Sequence, residues 1–321
     1  FQRPEKSAPW SGVYNATTYR YACPQPDIAP SVHTFSDEPS CLAECEPKTR
    51  YSNEDCLFLN VFKPAKYSWW NRPVMVWVHG GTFVNGTSFE RRFDSRYIAS
   101  IGDLIVVTLN YRLGAFGFLL GDDSDHPGNL GLYDQILALR WVQENIHHFG
   151  GDPSQVTLFG ESAGAMSVGA LVLSPLTKGL FHRAILQSGS PNSFIGSDSK
   201  VHAWGKVKFL AGFINCAHDT AAEMVKCIES KSTAEIQDAV NIMAKLGQFF
   251  EPAYDTELLP HSPVEILKSG KFNHNLDLMF GVNRDEGANG VYNIFNALRP
   301  DSGKKLKVDD IKDYINQMVQ L

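Results

Sequence analysis

VTLFGESAGAM, Val156 to Met166, is the stretch on which the reading of this chain turns. Four strand-like residues run into a serine held between two glycines, and an apolar, small-residue run suited to a helix follows at once. Strand, tight turn and helix in direct succession are the setting in which Gly-x-Ser-x-Gly acts as a nucleophile elbow. The reason is steric. Gly160 and Gly164 lack Cβ atoms, so the turn can close against neighbouring elements while Ser162 is held out at its tip. The Ser162 hydroxyl then points over the C-terminal edge of a sheet. The backbone N–H of Ala163, at the start of the new helix, faces the place where negative charge builds during acyl transfer. Glu161 either tunes the field beside the serine or serves the hydrogen bonding of the turn.

Working outward, VMVWV (Val74–Val78), LIVVTL (Leu104–Leu109), AILQ (Ala184–Gln187) and LDLMFGV (Leu276–Val282) join VTLF as short runs rich in apolar and β-branched residues. All five suit strands buried on both faces. Between the second and third strands, Leu132, Ile136, Leu139, Val142 and Ile146 recur every three or four residues, which predicts a helix that Gly150-Gly151-Asp152-Pro153 stops. Strands alternating with helices predict an α/β fold with a mostly parallel sheet covered on both faces. Residues 1–321 read as one domain without repeats. The segment from about 200 to 245 is more helical and polar, and is expected to form an insertion over one end of the sheet.

The first of these strands ends in HGGTF (His79–Phe83). A glycine pair directly after a buried strand lets backbone N–H groups approach a substrate, the kind of segment that completes an oxyanion hole. Donors are assigned at Gly81 and Thr82, with Gly80 shaping the turn. His79 is read as a structural residue at a strand end, because an oxyanion loop needs backbone and not a base.

Composition narrows the partners. The net charge of −6 supplies no basic field for nucleic acid. The longest apolar runs fall far short of a membrane span. Six cysteines, with sequons at Asn15 (Asn-Ala-Thr) and Asn85 (Asn-Gly-Thr), fit a secreted or ER-luminal protein. No Cys-x-x-Cys pair or Cys/His cluster calls for a metal, and no cofactor is implied.

Taken together, NEDCLFLNVFKP, VMVWVHGGTFVNG, VVTLNYRLGAFGFL, the block from Gly128 to Ala165, GLFHRAILQSGS and GVNRDEG resemble the type-B carboxylesterase and cholinesterase family of α/β-hydrolases, in the family's order from residue 53 to 287. The resemblance implies an α/β-hydrolase fold, incomplete at both ends, and a small-molecule ester as the expected partner. It implies Ser162 as the acyl-accepting nucleophile and Glu286 as the acid that orients the base and stabilises its imidazolium. Gly80, Gly81, Thr82 and Ala163 correspond to the oxyanion region. It also pairs Cys23 with Cys56 and Cys216 with Cys227, leaves Cys41 and Cys45 as a small-loop bridge or two thiols, and makes Arg112 and Asp134 a buried ion pair.

In that family the catalytic histidine lies well downstream of the acid, and none of the ten histidines here occupies the matching position. The chain is therefore expected to be the central fragment of a longer esterase, close to inert alone. Loss of the base from such a unit costs on the order of 10⁶-fold in turnover. Missing strands are expected to leave sheet edges and apolar faces uncovered, with poor solubility as the result.

Cholinesterases hold a cationic choline group on a tryptophan in the first disulfide loop. Between Cys23 and Cys56 there is no tryptophan, and the acyl-pocket positions correspond to Leu246 and Gln248. Both departures favour a general carboxylesterase, with Phe35 or Tyr51 as alternative aromatic lining and a choline-ester hydrolase as the second reading. Thr82 stands where many active relatives have glycine or alanine, and the catalytically silent, neuroligin-like adhesion branch also tolerates a small polar residue there. That branch typically loses the nucleophile, whereas Ser162 and Glu286 both persist here.

Overall fold

In the computed structural model, residues 1–26, 52–66, 68–90, 93–121, 126–193, 195–287 and 312 are described. Cys41, Cys45, Phe35 and Tyr51 lie outside them. Chain contacts divide the protein into two compact units, Phe1–Phe280 and Gly281–Leu321.

Among the described residues, six strands form one sheet: β1 (Leu59–Phe62), β2 (Arg72–Val78), β3 (Ile105–Leu109), β4 (Gly151–Glu161), β5 (Arg183–Gln187) and β6 (Asp277–Gly281), in the order β1-β3-β2-β4-β5-β6. β2 pairs in parallel with β3 and β4, and β4 in parallel with β5, while β1 runs antiparallel to β3. Every residue of β3 is buried, as a continuous IVVTL run requires when both faces are covered. β2 places Val74, Val76 and Val78 in the core, where Val76 lies between Val107 and Leu158. β1 escapes the sequence reading because LNVF is only half-buried along its length and carries no strong alternation.

The helix foreseen after β3 is α3 (Leu130–Asn145), preceded by α1 (Arg96–Gly102) and α2 (Gly114–Phe118). Leu132, Ile136, Leu139 and Val142 line its buried side. One 3-10 turn, Ile146–Phe149, leads to Gly150 in the left-handed region (φ 84°), which ends the helical run where the glycine pair predicts. The Gly150 carbonyl then accepts the Arg72 N–H (2.8 Å), so the helix exit is fastened to the start of β2.

α3 also carries the ion pair. Arg112 Nη2 meets Asp134 Oδ1 at 2.6 Å, Arg112 Nε meets Oδ2 at 2.8 Å, and the Arg112 backbone N–H donates to Oδ2 at 3.0 Å. The Asp134 side chain is almost fully buried. Three charge-assisted donors on one carboxylate are what makes an interior charge tolerable.

Beyond β5, α5 (Lys200–Phe213), α6 (Ala221–Glu229) and α7 (Thr233–Lys245) account for the helical segment expected between 200 and 245. Ser199, Thr220 and Ser232 cap their N-termini, the last in a reciprocal capping box with Glu235. Cys216 and Cys227 are bonded and join the exit of α5 to α6, while Cys23 and Cys56 form the longer loop. α8 (Pro263–Ser269) opens with a second capping box, from Ser262 to Glu265.

Burial on both faces fails at the β5–β6 end of the sheet, where Ala184 is the buried residue of β5 and β6 has none. LDLMFGV forms a strand as foreseen, but every residue of β6 is exposed, Phe280 by 80%. Among the described residues it is the end strand, with a neighbour on one edge only and neither face covered. An apolar composition reports what a strand would bury, not whether a cover is present. Among the described residues, no helix is long and apolar enough to cross a membrane.

Candidate active site

β4 delivers the chain into Ser162, whose backbone is strained: φ is 55° and ψ is −124°. For a residue with a Cβ this region costs on the order of 1–3 kcal/mol and persists only where the surroundings impose it. The surroundings do so. Ser162 N–H donates to the Gln187 carbonyl at the end of β5 (2.9 Å), and the Ser162 carbonyl accepts from Met166 N–H (2.9 Å) in the first turn of α4 (Ala163–Leu173). Every residue of α4 is buried, so the helix cannot shift to relieve the bend.

The glycine requirement is steric, as the sequence suggests. A Cβ at Gly160 would lie 2.6 Å from the Gly164 carbonyl carbon, and one at Gly164 would lie 2.1 Å from the Val78 carbonyl oxygen. A further glycine, Gly189 in the QSGS turn after β5, packs against Ser162 in the same way, its added Cβ falling 2.4 Å from the Ser162 carbonyl oxygen. Its sequence, Gln187-Ser188-Gly189-Ser190, gives no local sign of this contact.

The loop after β2 comes to the same place. A Cβ at Gly80 would meet the Glu161 carbonyl oxygen at 2.7 Å, Glu161 Oε2 at 3.0 Å and Ser162 Cβ at 3.1 Å, so the HGGTF backbone lies directly against the elbow. Gly81 has φ 112°, and its carbonyl accepts the N–H groups of Val84 (3.0 Å) and Asn85 (3.1 Å). Thr82 and Phe83 follow in the left-handed region, with φ of 59° and 60°. For a β-branched residue such as Thr82 this is an outlier, a conformational cost that residue type alone does not reveal. Phe83 anchors the bend: it is fully buried, its ring meets Phe118 edge-on (5.1 Å), and its carbonyl accepts from Gly114 N–H (2.7 Å).

His79 has the structural surroundings expected of it. It is buried, its ring stacks on Tyr111 (4.4 Å), and its Nδ1 lies 2.8 Å from the Gly80 carbonyl oxygen. The Tyr111 hydroxyl donates to the His79 carbonyl (2.9 Å), and full burial pushes that phenol well above its ordinary range, keeping it a donor.

Two clamps went unread in the sequence. Gln25 Nε2 donates to the Cys23 carbonyl (3.1 Å) and the Gly86 carbonyl (3.0 Å), while Gly86 N–H donates back to Gln25 Oε1 (3.0 Å). Asn110 accepts from Ser88 N–H (2.8 Å) and donates to the carbonyls of Tyr21 (2.9 Å) and Cys56 (3.0 Å). Together they fasten the glycine loop to the first disulfide. Their only sequence signal is the position of Gln25, two residues after Cys23.

Glu286 lies in the unit Gly281–Leu321. There its Oε1 accepts the Asn283 N–H (2.7 Å). Leu246 and Gln248 are exposed at the exit of α7. Asn85 is half-buried in the glycine loop, and Asn15 is exposed near the N-terminus.

A strained serine between a strand and a buried helix, seated against a glycine loop on a mostly parallel sheet, is the architecture of an α/β-hydrolase. The chain belongs to the carboxylesterase family, whose model matches residues 1–320. It is 43% identical over 293 residues to an acetylcholinesterase of Danio rerio, covering 90% of this chain and 45% of that protein. It is 40% identical to acetylcholinesterases of Electrophorus electricus and Bungarus fasciatus, again over 90% of this chain and 45% and 47% of theirs. The chain thus spans about half the length of the curated relatives it matches.

Proposed function

We propose that the whole protein hydrolyses carboxylic esters through an acyl-enzyme formed on Ser162. The observation that carries this reading is the seating of Gly80 against a Ser162 held at φ 55° at the N-terminus of an eleven-residue buried helix. In this reading the Ser162 Oγ attacks the ester carbonyl carbon. The oxygen that gains charge is received by the N–H of Ala163, aided by the positive end of α4, and by N–H groups of the Gly80–Thr82 loop. Loss of the alcohol leaves the acyl group on Ser162, and water then releases it.

Glu286 is assigned to orient a histidine base and stabilise its imidazolium, the base being a histidine downstream of the acid as in the family it resembles. Strain at Ser162 serves the chemistry, because a relaxed backbone would withdraw the hydroxyl from the donors.

A narrower reading, choline-ester hydrolysis, is favoured by the names of the relatives, which are acetylcholinesterases. The absence of tryptophan between Cys23 and Cys56, with Leu246 and Gln248 after α7, favours simpler esters instead.

The test is labelling of the full-length protein with an organophosphate that attacks activated serine. Stoichiometric adduct on Ser162, abolished in Ser162→Ala, is expected. A folded protein that takes up no label points to a silent recognition domain and ends the proposal. Rates on acetylcholine and on a short aliphatic ester then separate the two ester classes.

A further inference from the structure

We propose that the end of the sheet opposite Ser162 is a surface that adsorbs to an anionic lipid bilayer. Trp69, Trp70 and Ile101 enter the headgroup layer, and Lys63 and Lys66 meet the lipid charge.

Topology assembles this surface. β2, β3, β4 and β5 run in parallel, so their first residues share one rim, and β1, antiparallel to β3, ends on the same rim with Phe62 opposite Val106. The connection from β1 to β2, residues 63–71, is thereby brought beside the exit of α1 into β3. Arg72 joins the two: its Nη2 donates to the Lys66 carbonyl (2.8 Å) and its Nε to Asp103 Oδ1 (2.8 Å). Ser68 Oγ donates to the Trp70 carbonyl (2.8 Å) and accepts the Trp70 N–H (3.3 Å), which holds the bend. Strands that extend a sheet pair along its lateral edges, so this rim of strand ends is a different face from the bare one at β6.

The fastened loop presents its indoles to water. Trp69 is 88% exposed, and Trp70 is exposed beside it. α1 shows the same inversion: Ala99 is its buried residue, whereas Tyr97, Ile98 and Ile101 face outward, Ile101 by 86%. Five large apolar side chains at one rim go beyond the single exposed residues scattered over an ordinary protein surface. Indole rings settle at the headgroup level of a bilayer, their apolar body inward and their N–H wet.

Charge selects the kind of surface. Residues 63–71 contain two exposed lysines, Lys63 and Lys66, and no acid. The acids nearby are already matched, Asp103 by Arg72 and Asp94 by Arg96 (2.8 Å). Asp152, next to the Gly151 that pairs with Arg72, turns its carboxylate onto Ser154 (2.6 Å) and Gln155 (2.9 Å). The rim is locally positive on a chain of net charge −6, so an anionic bilayer attracts this end and repels the rest, which sets the orientation. Apolar insertion and lysine attraction act together, since one such signal alone gives only marginal binding. Ser162 follows the far end of the eleven-residue β4, about 30 Å away, and stays open to water while the rim is adsorbed.

The test is co-sedimentation of the full-length protein with vesicles of equal parts phosphatidylcholine and phosphatidylserine, and with vesicles of phosphatidylcholine alone. Binding is expected to the mixed vesicles, to weaken as salt is raised, and to be marginal on the neutral ones. Trp69→Ser with Trp70→Ser, and separately Lys63→Glu with Lys66→Glu, should each lower the bound fraction ~10-fold. Both double variants should take up organophosphate at Ser162 at the wild-type rate, which shows that they are folded. No sedimentation with the mixed vesicles, equal binding to both kinds, or variants that bind as wild type does would each overturn the proposal. So would dimerisation without lipid that Trp69→Ser with Trp70→Ser abolishes, because it would assign this face to a second copy of the chain.

Discussion

Replacing Gly164 by alanine tests the elbow directly. The added Cβ would sit 2.1 Å from the Val78 carbonyl oxygen and 2.9 Å from that of His79, both backbone atoms at the end of β2. Real Cβ atoms essentially never approach closer than 3.0 Å, so strand and helix must part by at least about 0.9 Å, the difference between 3.0 and 2.1. No flexible side chain can absorb that movement. Overpacking of this kind costs about 1–3 kcal/mol, which lowers Tm by roughly 2–10 °C. The same displacement moves Ser162 relative to Gly80, and a misplacement of about 1 Å costs on the order of 10²-fold in rate.

The assay is therefore paired: thermal unfolding of the full-length protein, and its rate of organophosphate labelling at Ser162. Both should fall, the labelling rate by far more than the loss of folded protein explains. A Gly164→Ala variant that unfolds at the wild-type temperature and labels within about twofold of the wild-type rate would refute the steric account of the elbow.

Four further outcomes are expected. Arg112→Met should destabilise by about 3–5 kcal/mol in denaturant titrations, since it strands the buried Asp134 carboxylate, and Arg112→Met with Asp134→Leu should recover much of the loss. Gly205→Ala, in the exposed middle of α5 with nothing within 4 Å of the new Cβ, should stabilise by about 0.5–1 kcal/mol. On mild reduction followed by alkylation, Cys216–Cys227 should open before Cys23–Cys56, because Cys227 is half-exposed whereas both members of the longer loop are buried. Glu251 has its carboxyl raised above the usual range, chiefly by burial, although Lys206 opposes the shift from 2.8 Å. A raised folded-state value means that the native protein binds more protons than the unfolded chain between the two values. This group's stabilising contribution is therefore full below the ordinary carboxylate value and is lost as pH rises through the raised one. Denaturant midpoints should show that loss in wild type and lack it in Glu251→Gln.

Much of the site was legible because its determinants are local. The Gly160 and Gly164 spacing, the β-branched run before them and the small apolar run after them all lie within eighteen residues, Val156 to Leu173, and each acts on its neighbours through sterics. Thr82 was singled out for its side chain, but its cost lies in a left-handed backbone that only the closed loop imposes. Gln25 escapes the sequence because its partner Gly86 is 61 residues away, and a position two residues after a cysteine does not by itself mark a glutamine as a clamp. β6 was found and its environment misjudged, since apolar residues state a preference for burial that only a covering layer can satisfy.

The amide of Ser162 and the carbonyl of Gln187 make one more point about how this centre can change over time. Because Ser162 is fixed to the exit of a second strand, and Gly189 is wedged beneath it, the three residues from Gln187 to Gly189 behave as a spacer of set length. An insertion or deletion there would carry the hydroxyl with it. Divergence in substrate preference, whether natural or engineered by loop grafting, is thereby channelled to other parts of the rim.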